Sequence, residues 1–422
     1  MRITLRSQAS DLRPRVVPDG VDEVRAAARD LDWAKLGPRS LCDACLGRLF
    51  GKLGHGYTNA ERGRAVREVA DLVTGPCWIC EGLTAEYEEL AALVARKLEP
   101  WEFDSFLIGS KPDPEIVARE ESLWTDLGVR SPEPLKAEIN REVGKRVEAR
   151  IGRSPDRGTP DIVAIVDPAF GHVDVQVNSL LLRGRYRKLV RGIPQTRWPC
   201  RRCRGKGCPR CGGAGKMYPT SVEEIIAAEV MRETGGTGHA LHGMGREDID
   251  ARMLGRGRPF VLEIKEPRRR HVRFDAIVER VNASHAVEVD RLSRVGRSEV
   301  VAIKEDRASK SYRLLVRFAA PMERAKVNEE LSILAAGPIA QRTPSRVVHR
   351  RADTTRHRRI EEAELVRLDG DLAEIRVRVE AGTYVKELVH GDDGRTRPSL
   401  AERLGVACEV LELDVLDVHD EG

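Results

Sequence analysis

Apolar residues recur at helical spacing from Ala85 to Lys97 and from Pro134 to Ile151, whereas Asp161–Asp167 and His172–Val177 alternate as strands do. A further helical stretch runs from about Asn59 to Val73. Ser221 and Glu224 stand in capping-box spacing and predict a helix to about Glu233. Beyond residue 258 the pattern changes: Phe260–Lys265, Arg313–Phe318, Glu364–Leu368, Leu372–Glu380 and Glu409–Val418 all read as strands, and Asp369-Gly370 signals a hairpin. Helices are expected only at Met322–Ala336 and at Ser399–Leu404, where Ser399 and Glu402 repeat the capping spacing. Strands joined as hairpins, with helices set to one side, predict an α+β fold on a largely antiparallel sheet.

The chain has 422 residues, enough for two or three domains. Its 72 lysines and arginines against 67 acidic residues leave a net charge of only +5, so placement of charge matters more than its sum. One basic tract runs through Arg183, Arg185, Arg187, Lys188 and Arg191 into Arg197, Arg201, Arg202, Arg204 and Lys206; a second spans Arg342 to Arg359. Such tracts neutralise phosphates, or else form solvated faces. No apolar run approaches the roughly 18 residues of a membrane span, and the first residues lack a secretory core, so a cytoplasmic protein is expected.

Eight of nine cysteines form four C-x-x-C pairs: Cys42 with Cys45, Cys77 with Cys80, Cys200 with Cys203, and Cys208 with Cys211. Two such pairs supply a tetrahedral zinc shell with no open position, which makes the expected role structural. For the second set, local disulfides are the competing reading. Cys408 lies in an apolar run and reads as a small core residue.

His242 to Leu254 sets carboxylates among arginines on a turn punctuated by Gly243 and Gly245. An ionised, positioned carboxylate serves as nucleophile, general base or metal ligand; the plain alternative is a surface ion-pair network. The glycines at 235, 236 and 238 do not form a phosphate loop, because they follow a helix instead of opening one.

The words Gly245-Arg246-Glu247-Asp248, Asp250 to Leu254 and Gly255 to Phe260, then Arg342–Asp353, Ala381–Asp392 and Gly394–Pro398, resemble the archaeal-type tRNA pseudouridine synthase family that modifies uridines 54 and 55 of the T-loop. The resemblance runs from roughly residue 175 to the end and more loosely before it. It implies an N-terminal zinc-binding region (1–84), a THUMP-like RNA-binding domain (85–197), a zinc-knuckle junction (198–215) and a mixed-sheet catalytic domain (216–422).

It further implies that Asp248 is the catalytic carboxylate, acting on an everted uracil. Tyr312 matches the active-site tyrosine and Lys386 the basic partner of the aspartate. Val385 and Leu413 match apolar residues of the uracil pocket, although valine and leucine in strands are usually core. Arg246 would position the nucleotide, and Arg346 and Arg350 lie in the loop that grips the RNA arm.

The implied partner is the tRNA T-arm. Structural zinc is the implied cofactor, with no redox or nucleotide cofactor, no membrane and no obligatory protein partner. Other THUMP-type tRNA enzymes would need nucleotide loops that the sequence lacks, and a non-catalytic tRNA-binding protein would not need Asp248, Tyr312 and Lys386 together.

Overall fold

The computed structural model describes residues 20–130, 132–349 and 351–420, which fall into two compact units, Met1–Asn178 and Ser179–Gly422. The first unit holds a mixed four-stranded sheet of β1 (Ser105–Ser110), β2 (Ser154–Pro155), β3 (Ile162–Asp167) and β4 (His172–Val177), in the order β2-β1-β3-β4. Phe106 and Ile108 on β1, and Ile162, Ala164 and Val166 on β3, turn one apolar face inward. Helix Leu135–Ile151 packs on it through Leu135, Ile139, Val143 and Val147, four side chains one helical turn apart. Helix Tyr87–Leu98 adds Leu90, Ala91 and Val94.

Residues 24–84 contribute to this core. Leu46, Ile79 and Leu83 belong to the same apolar cluster as Phe106 and Val166. Arg48, 1% exposed, ties the two parts by charge: its guanidinium reaches Glu120 at 2.9 Å and Glu138 at 3.0 Å, both carboxylates being buried. Asn59 Nδ2 donates to Glu138 Oε1 at 2.9 Å, and the Leu135 amide to Glu120 Oε1 at 3.0 Å.

The second unit is one ten-stranded sheet. Its strands are β5 (Leu180–Lys188), β6 (Gly238–Gly243), β7 (Arg252–Lys265), β8 (Val287–Arg294), β9 (Ser309–Phe318), β10 (Pro338–Arg342), β11 (Thr355–Asp369), β12 (Leu372–Val379), β13 (Thr396–Arg397) and β14 (Cys408–His419). They run in the order β13-β10-β11-β12-β9-β14-β7-β5-β8, with β6 also on β7. Among the described residues of this sheet only β7 and β14 pair in parallel, through Arg252 with Asp414 and Met253 with Val415. Two apolar clusters cover the sheet, and Tyr312 packs against both.

Several expectations shift. Leu180–Lys188, placed in the RNA-binding segment by the boundary at 197, is β5 of the second unit, because Leu180 and Leu182 are buried against β7. Helices Pro114–Leu127, Phe274–Asn282 and Arg297–Glu305 were not anticipated; the last has only Ile303 buried, too little for an apolar stripe. Val385 opens a six-residue helix, Val385–His390, and is not in a strand. Asp369 pairs with Leu372, so the hairpin loop is Gly370-Asp371, one residue beyond its signal, with Gly370 at φ +60°. Among the described residues no helix is long and apolar enough to cross a membrane.

Removing Arg48 strands two carboxylates in a dry interior. Arg48→Ala is expected to cost about 3–5 kcal/mol, read as a lowered urea midpoint by circular dichroism. A midpoint unchanged from wild type would show that the triad contributes nothing.

Candidate active site

Strand β5 ends on Lys188, whose side chain is fully buried and which burial pulls below its usual pKa. Its ammonium donates to three carbonyl oxygens: Ile193 at 3.0 Å, Asp248 at 3.0 Å and Ile249 at 3.2 Å. Beside it Glu247, also buried, accepts from the Tyr186 hydroxyl at 2.8 Å and from Arg258 Nε at 3.0 Å. Arg258 donates to the Met244 carbonyl at 2.6 Å, and Gln195 Nε2 to the Gly245 carbonyl at 3.0 Å. Four carbonyls between Met244 and Ile249 are thereby held from below, so the turn is fixed while the Asp248 side chain faces outward, 36% exposed.

This network corrects the reading of the first half of the first basic tract, from Arg183 to Arg191. Lys188 is internal, Arg183 meets Glu299, Arg185 forks onto Asp420, Arg187 meets Glu288, and Arg191 reaches Asp414 at 2.7 Å. These cations bind the unit together and are not a phosphate-facing row.

Asp248 opens into a cleft of about 770 Å³. Its two carboxylate oxygens lie 3.4 Å from Arg346 Nη1 and 3.4 Å from Lys386 Nζ. Neither cation serves Asp248 alone. Arg346 also donates to buried Glu387 at 2.6 Å, and Lys386 contacts Asp250 at 2.8 Å. Burial opposes ionisation of Asp250, but the Lys386 hydrogen bond and charge outweigh it and hold the carboxyl below its usual range. Lys386 sits in the first turn of Val385–His390; the residue before that helix, Tyr384, is gripped by Gln341, which takes its amide at 2.9 Å and donates to its carbonyl at 2.9 Å.

Val385 and Leu413 are buried side chains on the cleft wall, and Tyr312 is half-buried beside them. Burial pushes the Tyr312 phenol up to about 12, so it is a proton-bearing hydroxyl at neutral pH. Two residues away on the same strand face, Lys310 also lines the cleft; burial, then repulsion from Arg258, lowers it to about 8. Arg246 lies with its guanidinium carbon 5.0 Å from the Trp198 ring centre. Arg350 lies outside the described residues.

The structure therefore gathers Asp248, Tyr312, Lys386, Arg246, Arg346, Val385 and Leu413 on one cleft. Sequence reasoning did not find Lys188, Glu247, Asp250, Lys310, Glu387 or Trp198. Asp250 and Glu247 lay in the quoted motif, but nothing local distinguishes a buried carboxylate from an exposed one.

The cysteines form two four-thiol clusters, Cys42, Cys45, Cys77 and Cys80, and Cys200, Cys203, Cys208 and Cys211, each with all sulfurs within 4.8 Å. Cys42 and Cys80 are 3.6 Å apart, Cys200 and Cys208 3.9 Å, and Cys208 and Cys211 3.7 Å. A tetrahedron of sulfurs about 2.3 Å from a central zinc has edges of about 3.8 Å, whereas a disulfide spans about 2.05 Å. The donor sets fit a metal, and all nine cysteines are free thiols, so the disulfide alternative for the second set is not what the structure holds. Cys408 is buried in the apolar core.

Residues 181–419 match the family described as Pus10, C-terminal, and residues 90–167 the one described as Pus10 THUMP domain, archaeal. A relative from Methanothrix thermoacetophila, named tRNA pseudouridine synthase Pus10, is 43% identical over 94% of this chain and 94% of its own. One of the same name from Methanopyrus kandleri is 42% identical over 90% and 96%, and one from Thermofilum pendens 36% over 90% and 93%. Among solved structures, a chain of a Cbf5-Nop10-Gar1 complex aligns over 48% of this chain and 46% of its own at 20% identity and a TM-score of 0.31, agreement too slight to decide anything. The full-length matches and the two domain matches agree with the division at Asn178, and the chain belongs to the Pus10 family of tRNA pseudouridine synthases.

Proposed function

We propose that this chain isomerises uridine to pseudouridine in the T-loop of tRNA, at position 54, 55 or both. The carrying observation is the Asp248 carboxylate facing an open cleft between two cations, each 3.4 Å away, on a turn whose backbone is held by a buried lysine. Family membership supplies the reaction: the bond from C1′ to N1 of uracil breaks, the base turns, and C1′ joins C5. The C5 proton leaves and N1 gains one, so the product has unchanged mass and no oxidant or hydrolysis is needed.

The target base must leave its stack to reach Asp248. The Tyr312 ring stacks on it, and the phenol, protonated at neutral pH, relays the proton released from C5 by passing its own to water as it accepts that one. Val385 and Leu413 exclude water from the uracil edge. Arg346 and Lys386, each 3.4 Å from the Asp248 carboxylate, aim it, and it acts on C1′ or on the ring. Arg246 positions the neighbouring phosphate.

The first cysteine set would hold a zinc ion within the core of the N-terminal unit, and the second set one in the knuckle; four thiolates leave no open position, so the metal supplies structure and not chemistry.

Asp248→Asn is expected to lower pseudouridine formation by at least about 10³-fold while tRNA affinity stays within a few-fold. The assay uses unmodified transcript without ATP or methyl donor, scoring a mass-silent base whose carbodiimide adduct resists alkaline reversal. Full activity in that variant would remove Asp248 from the mechanism.

Lys310 gives a pH signature. Because its ammonium deprotonates near pH 8, the cleft loses one positive charge as pH rises, and KM for tRNA is expected to rise about threefold between pH 7 and 9, of the order expected for one partly solvated ion pair. Lys310→Met should show the higher KM at both values; a pH profile identical to wild type would exclude the assignment.

Anaerobically purified protein should carry two zinc ions per chain, matching the two clusters. Cys200→Ala should lose one of them, as read by elemental mass spectrometry. Metal-free, folded wild-type protein would count against both sites.

A further inference from the structure

The second cysteine cluster closes a loop whose two legs leave side by side. Pro199 and Lys216 form an antiparallel bridge, the Cys200 amide donates to the Gly215 carbonyl at 2.8 Å, and the Met217 amide to the Trp198 carbonyl at 2.9 Å. The residues flanking that bridge, Trp198 and Tyr218, therefore meet edge to face, with ring centres 5.6 Å apart at 81°. Arg246, two residues before Asp248, covers the Trp198 ring. The knuckle's aromatic base is thus in contact with the turn that carries the carboxylate.

Trp198 is half-buried and borders two cavities. One is the Asp248 cleft, which Tyr218 also lines; the other, an open depression of about 460 Å³, is lined by Trp198, Pro199, Arg201 and His349. That volume lies within the range of small-ligand sites. Arg201, Arg202, Arg204, Lys206 and Arg210 are exposed on the knuckle, and no aspartate or glutamate occurs between residues 198 and 222. The arginines of β5 meet carboxylates from other parts of the unit, whereas these five knuckle cations make no ion pair among the described residues. An indole face, an adjoining cavity and a ring of cations together match an unpaired nucleotide: the base stacks, the phosphate meets a guanidinium.

We propose that Trp198 forms a second base-binding subsite, which stacks an unpaired nucleobase next to the target uridine while that uridine occupies the Asp248 cleft. The inference rests on the synthase reading and adds a site to it. Eversion of the target leaves its neighbours without a stacking partner, and the Trp198 ring replaces the one they lose. Tyr218 sets the tilt of that ring, and Arg246 links its position to the turn bearing Asp248.

The test pairs protein and RNA changes. A series of transcripts, each with one abasic nucleotide within two positions of the modified uridine, is assayed with wild type, Trp198→Ala, Trp198→Phe and Trp198→Leu for tRNA binding and kcat/KM. At one position base removal should cost wild type about tenfold. Trp198→Ala should lose a similar factor on intact tRNA and lose nothing more on that abasic transcript. Trp198→Phe should keep most of the wild-type value, whereas Trp198→Leu, apolar but without a π face, should behave as alanine does.

The proposal is overturned if the two losses multiply, if leucine is as good as phenylalanine, or if every variant matches wild type. Filter-retention binding of the same series carries the comparison if wild type makes no pseudouridine. That last result would refute the synthase reading while the binding cycle still decided the subsite.

Discussion

One buried ammonium and three carbonyl oxygens decide where Asp248 can be. A lysine taken wholly out of water is costly unless every proton finds an acceptor, and Lys188 spends its three on Ile193, Asp248 and Ile249. The same bonds leave the turn no slack. Glu247, the neighbour of Asp248, completes the arrangement from inside, held by Arg258 and Tyr186 while its second oxygen lies 3.9 Å from Lys188. Adjacent carboxylates thus have opposite fates: Glu247 is locked in the interior to shape the turn, and Asp248 is left facing the cleft. A carboxylate on a turn held this way meets a substrate without first being ordered, which is how preorganisation lowers a barrier.

The division of arginines follows the same economy. With 72 cations against 67 anions, most positive charge in the chain has a partner available. Along β5 and just beyond it, it takes one: Arg183 meets Glu299 of helix Arg297–Glu305, Arg185 meets Asp420, Arg187 meets Glu288 of β8 and Arg191 meets Asp414 of β14. Within the cleft the pairing is looser. Arg346 and Lys386 each straddle two carboxylates, one of which is Asp248, so on the proposed reading each would retain a second anion if Asp248 engaged a substrate. A phosphate or base entering this cleft, as proposed above, would compete for partly satisfied cations and not for locked ones.

What the sequence disclosed was what local rules govern. Ser221 and Ser399 cap their helices by accepting the amides of Glu224 and Glu402, as the spacing required. Helix Leu135–Ile151 and strands β3, β4 and β14 have apolar periods that their surroundings enforce. Asp248, Tyr312 and Lys386 were found through words of a family, and no period or composition would have joined residues so far apart in the chain. What stayed hidden was tertiary. Lys188 sits among four arginines and looks identical to them until β7 and the 244–249 turn close over it. Val385 looks like strand because a six-residue helix is too short to show a period, and its start is set by Gln341, more than forty residues earlier.

The two thiol clusters answer different needs. Three sulfurs of the first set are buried among Leu46, Ile79 and Leu83, where a metal would reinforce a core that already exists. The second set stands in sixteen residues, 200–215, with five glycines and no apolar side chain larger than alanine beyond its cysteines and Pro209. Its legs pass so closely that a Cβ at Gly207 would meet the Gly213 carbonyl oxygen at 2.6 Å, and one at Gly215 would collide with that of Gly205. A loop with no core to bury gains its shape from what its thiols bind. The part of the protein whose position that shape determines is the pair Trp198 and Tyr218 at its base. Zinc at this knuckle, on the reading proposed above, would therefore influence the cleft without touching any reacting atom, through the angle of one indole ring against Arg246.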